Sequence, residues 1–273
     1  MTQGPTRGLQ GVLLVDAGNT HIKLTRLDSA AWQPALMTDD WPATRISSRA
    51  ADRMEQIAAQ WLGRPPGNVG EVWLCSVLGD EFEQALGHAC VQAGIPLRVL
   101  RVGDVPWLQT AYAQPQRLGC DRWGLMLAAV HQAVQQACVC PLLCVSLGTA
   151  TTVDAVLPNT PRPGVWQHPG GFIAPGLQTM LDSLHSNTAQ LPRVDLAQAS
   201  WPTDTASAIG AGVFQMQVDF IHTRRAQLQA LTGQSVQCVL AGGGATAMAQ
   251  ALPDAWVLPQ AVLQGLCVAF AKS

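Results

Sequence analysis

Two stretches of this chain repeat one short plan. "LLVDAGNTHIKL" (13–24) and "LCVSLGTATTVDAV" (143–156) each run an apolar strand into a polar residue, Asp16 or Ser146. One further residue, a glycine (Gly18, Gly148), polar residues and a second strand follow. Each stretch opens a series of strands followed by helices. A duplicated unit of this kind constrains the fold to α/β with two similar halves, and a nucleotide between them would account for the echo. Ligands in such units bind where strands end. The chain has four glycine-bearing turns predicted at strand ends: Gly18, Gly148, Gly170-Gly171 and Gly242-Gly243-Gly244.

The first stretch has two readings. Asp-Ala-Gly-Asn can be a plain hairpin turn, since Gly and Asn tolerate positive φ. It can also be a phosphate cradle. Gly18 would let the backbone approach a polyphosphate, the N–H groups of Gly18, Asn19 and Thr20 would face anionic oxygens, Asp16 would hold hydrated Mg²⁺, and Lys23 would add a point charge. The spacing is neither that of the P-loop nor that of the dinucleotide fingerprint.

Around these stretches the pattern predicts alternating elements. Residues 45–63, "RISSRAADRMEQIAAQWLG", have helical spacing, with Ile46, Met54, Ile57, Ala58 and Trp61 on one side. "EVWLCSV" is a strand, "EFEQALGHACVQAG" a helix closed by Gly94, and "PLRVLRV" a strand. A Pro-containing loop, 105–120, leads to a helix with Asp121 at its start. After the second repeat come a glycine-rich strand or loop (166–177), helices near 177–190 and 203–231, the strand "VQCVLAGGG", a short helix, and a last helix.

Composition excludes several functions. Net charge is −2 and no Lys/Arg run exists, so a nucleic-acid footprint is absent. No apolar stretch reaches membrane-spanning length, and Met1 to Gln10 has no apolar core of a signal peptide, so a cytoplasmic protein is expected. Eight cysteines show no zinc spacing and are expected to be reduced and mostly buried. Only 12% of residues are charged, against a typical ~25%, which favours a surface covered in a dimer.

The motifs, in order, resemble one family. "DAGNTHIK" resembles its first phosphate motif, and "YAQPQRLGCDR" (112–122) its Y-x-x-P-x-x-L-G-x-D-R substrate motif. "SLGTATT" resembles its second phosphate motif, "GGFIAPG" its glycine-rich segment, and "AGGGA" its adenosine motif. The chain is thereby identified as similar to the type III pantothenate kinase (Baf, Bvg accessory factor) family from about residue 12 onward. The resemblance implies the acetate-and-sugar-kinase/Hsp70/actin fold, with two ribonuclease-H-like halves and ATP in the cleft. The first phosphate motif falls in 1–117. The catalytic Asp, second phosphate motif and adenosine motif fall in 118–273. It implies a homodimer and transfer of the ATP γ-phosphate to the primary hydroxyl of pantothenate, the first step of coenzyme A synthesis.

The resemblance also implies residue roles. Asp121 would be the general base; an Asp opening a helix is otherwise an ordinary N-cap. Tyr112, the only tyrosine, would line the pantothenate pocket, or else anchor a loop. Gly119, Cys120, Asp121 and Arg122 would contact substrate, although Arg122 could equally be a surface helix residue. Thr205 would reach pantothenate at the dimer interface, or Asp204-Thr205 could simply start a helix. Asp16, Ala17, Gly18, Asn19, Thr20, His21, Ile22, Lys23 and Thr149 would hold the ATP phosphates, with Mg²⁺ near Asp16. Gly242, Gly243 and Gly244 would pass beneath adenine or ribose, or form a tight strand-to-helix turn. His168 reads as a loop histidine.

One departure stands out. The family's second phosphate motif starts with Asp, its ligand for an activating monovalent cation, K⁺ or NH₄⁺. Here Ser146 stands there, and that cation site is in doubt. Two rivals share the ATP motifs: another small-molecule kinase of the superfold, and a nucleotide-binding regulatory accessory protein.

Overall fold

The structure is a computed structural model and describes residues 11–27, 41, 43–50, 52–62 and 69–270. Two compact units emerge. The first comprises Met1–Asp104, Leu118–Leu127 and Val262–Ser273, and the second Val105–Arg117 and Ala128–Ala261.

The first unit is built on a five-stranded sheet in the order β3-β2-β1-β4-β5. Its strands are β1 (Gly11–Ala17), β2 (His21–Leu27), β3 (Thr44–Ser47), β4 (Val69–Ser76) and β5 (Leu97–Val99). β1, β2 and β3 form an antiparallel meander, while β4 and β5 lie parallel on the other side of β1. β1 is apolar at nearly every position because it is the central strand: Leu13, Leu14 and Val15 are fully buried. Helix α1 (Arg53–Ile57) runs into a π-helical turn, Ala58–Leu62. Helix α2 (Asp80–Ala93) lays Phe82, Leu86 and Cys90, spaced four apart, into the core. It ends at Gly94 in the left-handed conformation that the sequence predicts (φ 69°).

Residues 45–47, expected in a helix, instead belong to β3, and Ile46 pairs with Ile22 of β2. The open edge of β2 accepts a strand there, and cross-strand burial of Ile46 outweighs its helical spacing to Met54 and Ile57. Positions 51 and 63 of that expected helix lie outside the described residues.

The second unit repeats the topology. Its sheet runs β11-β10-β7-β8-β9-β6, from β6 (Leu108–Thr110), β7 (Leu142–Leu147), β8 (Ala150–Pro158), β9 (Trp166–Pro175), β10 (Gln237–Ala241) and β11 (Trp256–Val257). β7, β8 and β9 form the antiparallel meander, with β10 and β11 parallel beyond β7. Five of its six strands therefore have counterparts in the first sheet, and β6 is an addition, parallel to β9. The sequence echo is thus a topological one, and Ser146 is the counterpart of Asp16. Two strands, β6 and β11, were not expected; at three and two residues they are too short to show a period. Gly170 and Gly171 do not form a strand-end turn. They lie inside β9 beside a register shift, where Gly170 takes φ 149°.

Helix α3 (Cys120–Gln135) starts in the first unit and continues into the second. Helices α4 (Leu177–Asn187), α5 (Thr205–Thr232) and α6 (Ala245–Ala249) belong to the second unit and pack Leu181, Val213, Phe214, Val218, Ile221 and Met248 against Val145, Leu147 and Leu240 of its sheet. Helix α7 (Ala261–Phe270) closes the first unit. It crosses α3 at a glycine pair, since a Cβ on Gly265 would stand 2.1 Å from Gly124 O. Two backbones can approach so closely only where neither residue carries a side chain.

The expectation of reduced cysteines holds for six of the eight. Cys138 and Cys140, in the turn after α3, form a disulfide across Cα atoms 5.7 Å apart, while Cys75, Cys90, Cys120, Cys144, Cys238 and Cys267 are free thiols. The turn folds two near neighbours in sequence to a bridging distance.

Candidate active site

In the first unit, β1 ends on Asp16 because antiparallel pairing sets Lys23 directly opposite it, so both side chains share one face. Lys23 Nζ donates to Asp16 Oδ2 at 3.0 Å, and the carboxylate is buried. The turn between them is tight. Gly18 N donates to His21 O at 3.1 Å, Ser48 N donates to Thr20 O at 3.0 Å, and the Ser48 hydroxyl donates to Gly18 O. Ser48, which the sequence did not single out, thus buttresses the turn from the segment after β3. The site offers a hard oxygen donor beside a cation, a set that suits Mg²⁺ accompanied by phosphate oxygens.

Gly119 to Arg122 form the start of α3. Arg122 N donates to Asp121 Oδ1 at 2.8 Å, and Trp123 N donates to Gly119 O at 3.1 Å. The Asp121 carboxylate therefore folds back over the first turn, and a Cβ on Gly119 would lie 2.5 Å from Asp121 Oδ1. That contact explains the glycine two residues before the acid. Burial raises the Asp121 carboxyl above its ordinary range, the Arg122 N–H and charge oppose the rise, and the Asp16 charge adds to it. A carboxylate so raised takes up a proton more readily than a solvated one. Arg122 is buried, not a surface residue.

Cys75 and Cys120 meet beside these carboxylates, at Sγ–Sγ 3.1 Å. Cys75 is the partner of Asp16 in the β1–β4 register, and Cys120 also donates to Ser76 O at 3.0 Å. Burial pushes the Cys75 thiol well above its ordinary value, helped by Cys120 and by the Asp16 and Asp121 charges.

In the second unit, three glycine segments converge on the end of β7. Gly148 N donates to Ala150 O and Gly176 N to Thr149 O, while Gly244 N donates to Leu147 O. A Cβ on Gly176 would stand 2.1 Å from Gly148 O, and one on Gly242, at φ 90°, would stand 2.6 Å from Leu147 O. Gly242 is thus required by the turn itself. A Cβ on Gly243 would meet nothing within 4 Å, so that backbone faces open space a nucleoside could approach. Ser146 pairs with Thr152 across β7–β8, and the buried Thr152 hydroxyl has no hydrogen-bond partner among the described residues.

Tyr112 follows β6. Its ring stacks on His168 with centroids 5.5 Å apart and planes 25° apart, and its N–H donates to Thr110 Oγ1. His168 is not a loop residue. It is fully buried in β9, with Nδ1 2.9 Å from Thr110 Oγ1 and Nε2 2.9 Å from Asp154 Oδ1, and Asp154 is fully buried too. Parallel pairing of β6 with β9 aligns Thr110 with His168, which brings Tyr112 within reach. No sequence pattern marks this run, because β6, at three residues, is too short to show a period. Thr205 opens α5 on the surface, and Asp204 caps that helix through Ser207 N at 2.9 Å.

The second unit also exposes apolar side chains. Leu184, Met216, Phe172 and Ile173 are all open to solvent, and Pro175, Met180 and Val213 line a shallow groove among α4 and α5.

Known proteins resemble this chain over most of its length. The type III pantothenate kinase family profile matches residues 12–227. A type III pantothenate kinase of Bordetella bronchiseptica is 32% identical over 235 residues, covering 85% of this chain and 82% of that protein. One of Cupriavidus taiwanensis is 33% identical over 264 residues, covering 88% and 90%. Among solved structures, a Campylobacter jejuni protein described as a Baf family transcriptional activator aligns with TM-score 0.54 at 16% identity, covering 93% and 94%. A Listeria monocytogenes protein described as an N-acetylmannosamine kinase aligns with TM-score 0.52 at 14% identity, covering 95% and 98%. Both share the fold. The chain belongs to the type III pantothenate kinase family.

Proposed function

We propose that this chain phosphorylates pantothenate at the expense of ATP, giving 4′-phosphopantothenate and ADP, with Asp121 as the general base. The observation that carries the assignment of the base is the raised, folded-back carboxylate of Asp121 at the start of α3, within the substrate motif. The pantothenate primary hydroxyl gives its proton to Asp121 as its oxygen bonds to the γ-phosphorus, and the β–γ bridging oxygen departs with ADP. Arg122 offers its guanidinium to oxygens of substrate or transferring phosphate. In the first unit Asp16, Lys23 and the N–H groups after Gly18 are assigned to phosphate, and in the second Thr149 is assigned to phosphate and Gly242 to Gly244 to adenosine. Asp16 would hold Mg²⁺, which when bound offsets the charge of the phosphate oxygens.

Tyr112 is assigned to the pantothenate pocket. Thr205 is assigned to the pantothenate of a partner subunit in a homodimer, and the exposed apolar side chains of β9, α4 and α5 supply a surface of the kind a dimer covers. Ser146 presents a neutral hydroxyl where the resemblance expects a carboxylate, and Thr152 opposite it adds only another hydroxyl, so a monovalent cation would be held weakly. Among the described residues no helix is long and apolar enough to cross a membrane, in keeping with a cytoplasmic enzyme.

The test is acceptor dependence. ADP release should need pantothenate, and 4′-phosphopantothenate should form in equal amount. ATP consumption indifferent to pantothenate would point to another acceptor. Sedimentation showing a fully active monomer would remove the dimer.

A further inference from the structure

The Cys75–Cys120 contact has no part in the transfer just described, yet it adjoins the proposed base. Both residues belong to the first unit. Cys120 precedes Asp121 directly, and Cys75 lies beside Asp16 in the sheet. In the second unit the counterpart of Cys75 is Ala241, so nothing in the repeated plan calls for a thiol there.

We propose that Cys75 and Cys120 are an oxidisable dithiol site, closed to a disulfide by a hydroperoxide, and that closure stops phosphoryl transfer by holding Asp121 out of place. The inference rests on Asp121 being the base.

Geometry separates this from other uses of two thiols. The Sγ atoms, at 3.1 Å, need to approach by only about 1 Å to reach a disulfide bond length. Two thiolates of a tetrahedral zinc site stand farther apart, at about 3.8 Å. Among the described residues no group of three His, Cys, Asp or Glu is arranged to share a metal ion. Access is unequal, since Cys75 is buried and Cys120 is only partly so.

Cys120 therefore meets the oxidant. Its sulfur bonds to one peroxide oxygen as the O–O bond breaks, giving a sulfenic acid and one water, or one alcohol from an organic peroxide. Cys75 sulfur then attacks the sulfenic sulfur. The S–S bond forms, the S–O bond breaks, and the departing hydroxide takes the Cys75 proton to leave as water. Two thiols lose two electrons and one peroxide gains them. Closure removes the Cys120 bond to Ser76 O and draws the first residue of α3 toward β4. Asp121, next along the helix, moves with it.

The full chain carrying Cys138→Ser and Cys140→Ser is treated with hydrogen peroxide, then assayed and mapped by mass spectrometry. We expect loss of two hydrogens, peptides joined through Cys75 and Cys120, and activity lower by at least about tenfold, the scale of a misplaced catalytic group. Dithiothreitol should restore both mass and activity. Adding Cys75→Ala should abolish the joined peptides and the reversible loss; should that variant fail to fold, the peptide map of its parent decides. Absence of joined peptides overturns the proposal, and so do joined peptides in a fully active enzyme. Asp121→Asn, assayed reduced, tests the base separately. If it turns over like its parent, the base assignment falls while the cross-link and its effect on activity are still read.

Discussion

Asp154 Oδ1 lies 2.9 Å from His168 Nε2, and neither residue is exposed to solvent. Every donor in the run is matched if His168 is neutral with its proton on Nε2. Tyr112 N–H then donates to Thr110 Oγ1, Thr110 O–H to His168 Nδ1, and His168 Nε2–H to Asp154. The carboxylate thereby fixes one tautomer and one ring plane, and the plane is the surface on which Tyr112 stacks.

Asp154→Asn is the test of that chain. An amide can offer N–H as well as oxygen, so the tautomer is no longer fixed and Thr110 can lose its acceptor. We expect kcat/KM for pantothenate to fall about 10–100-fold through misplacement of Tyr112, with KM for ATP little changed. Stability should drop by about 1–3 kcal/mol in thermal or urea unfolding, the range for a weakened buried hydrogen bond to a charge. Equal losses toward both substrates would mean a merely structural pair.

Asp121→Asn should lower kcat by roughly 10²–10⁴-fold, the span of a lost general base, while both substrates still bind. The carboxyl is raised in the fold, so its favourable contribution to stability is present below the unfolded-state pKa and is lost as pH rises through the folded one. An asparagine escapes that loss. The variant should therefore melt no lower than the parent at neutral pH, with the gap narrowing in acid. The same shift places the acid limb of the parent's kcat/KM–pH profile above that of an ordinary aspartate, with activity falling as pH drops and Asp121 takes a proton.

Gly119→Ala isolates the position of the acid from its chemistry. The new Cβ would meet Asp121 Oδ1 at 2.5 Å, and the carboxylate is the part free to give way. Turnover should fall about 10²-fold from displacement alone. Unfolding free energy should change by only about 1 kcal/mol, since no backbone atom obstructs the methyl. A fully active variant would show that Asp121 need not be held where it is.

Ser146 is tested with cations. Activity titrated with KCl against a bulky organic cation, at constant ionic strength and Mg²⁺, should change little in the parent. Ser146→Asp should create or strengthen dependence on K⁺ or NH₄⁺. Strong stimulation of the parent by K⁺ would show that the Ser146 and Thr152 hydroxyls already suffice.

The elements with long periods were legible before folding. The strand–turn–strand repeats at Asp16 and Ser146, the helix opened by Asp121 and the Gly94 cap all follow from local chemistry. What escaped depends on contacts between distant segments. Ile46 fits a helix until β2 is seen to have an open edge for it. Gly124 and Gly265 carry no signal singly, because their meaning lies in two helices crossing. His168 gave no hint of burial, and Cys75 gave none of Cys120, because each depends on a neighbour fixed by the sheets.

The first unit is assembled from three separated lengths of chain, the last of them carrying α7. Phe270 there packs edge-on against Trp73, with its ring beneath Arg98, and Gly265 receives α3 one turn beyond Asp121. During synthesis, then, every segment of the second unit leaves the ribosome before the first unit can close. The half that holds Asp121 must wait, with β4 and α3 lacking their last helix, until the final turns are made. A nascent chain arrested before α7 would carry every sequence motif of the family and still lack the helix that packs on α3 just beyond Asp121.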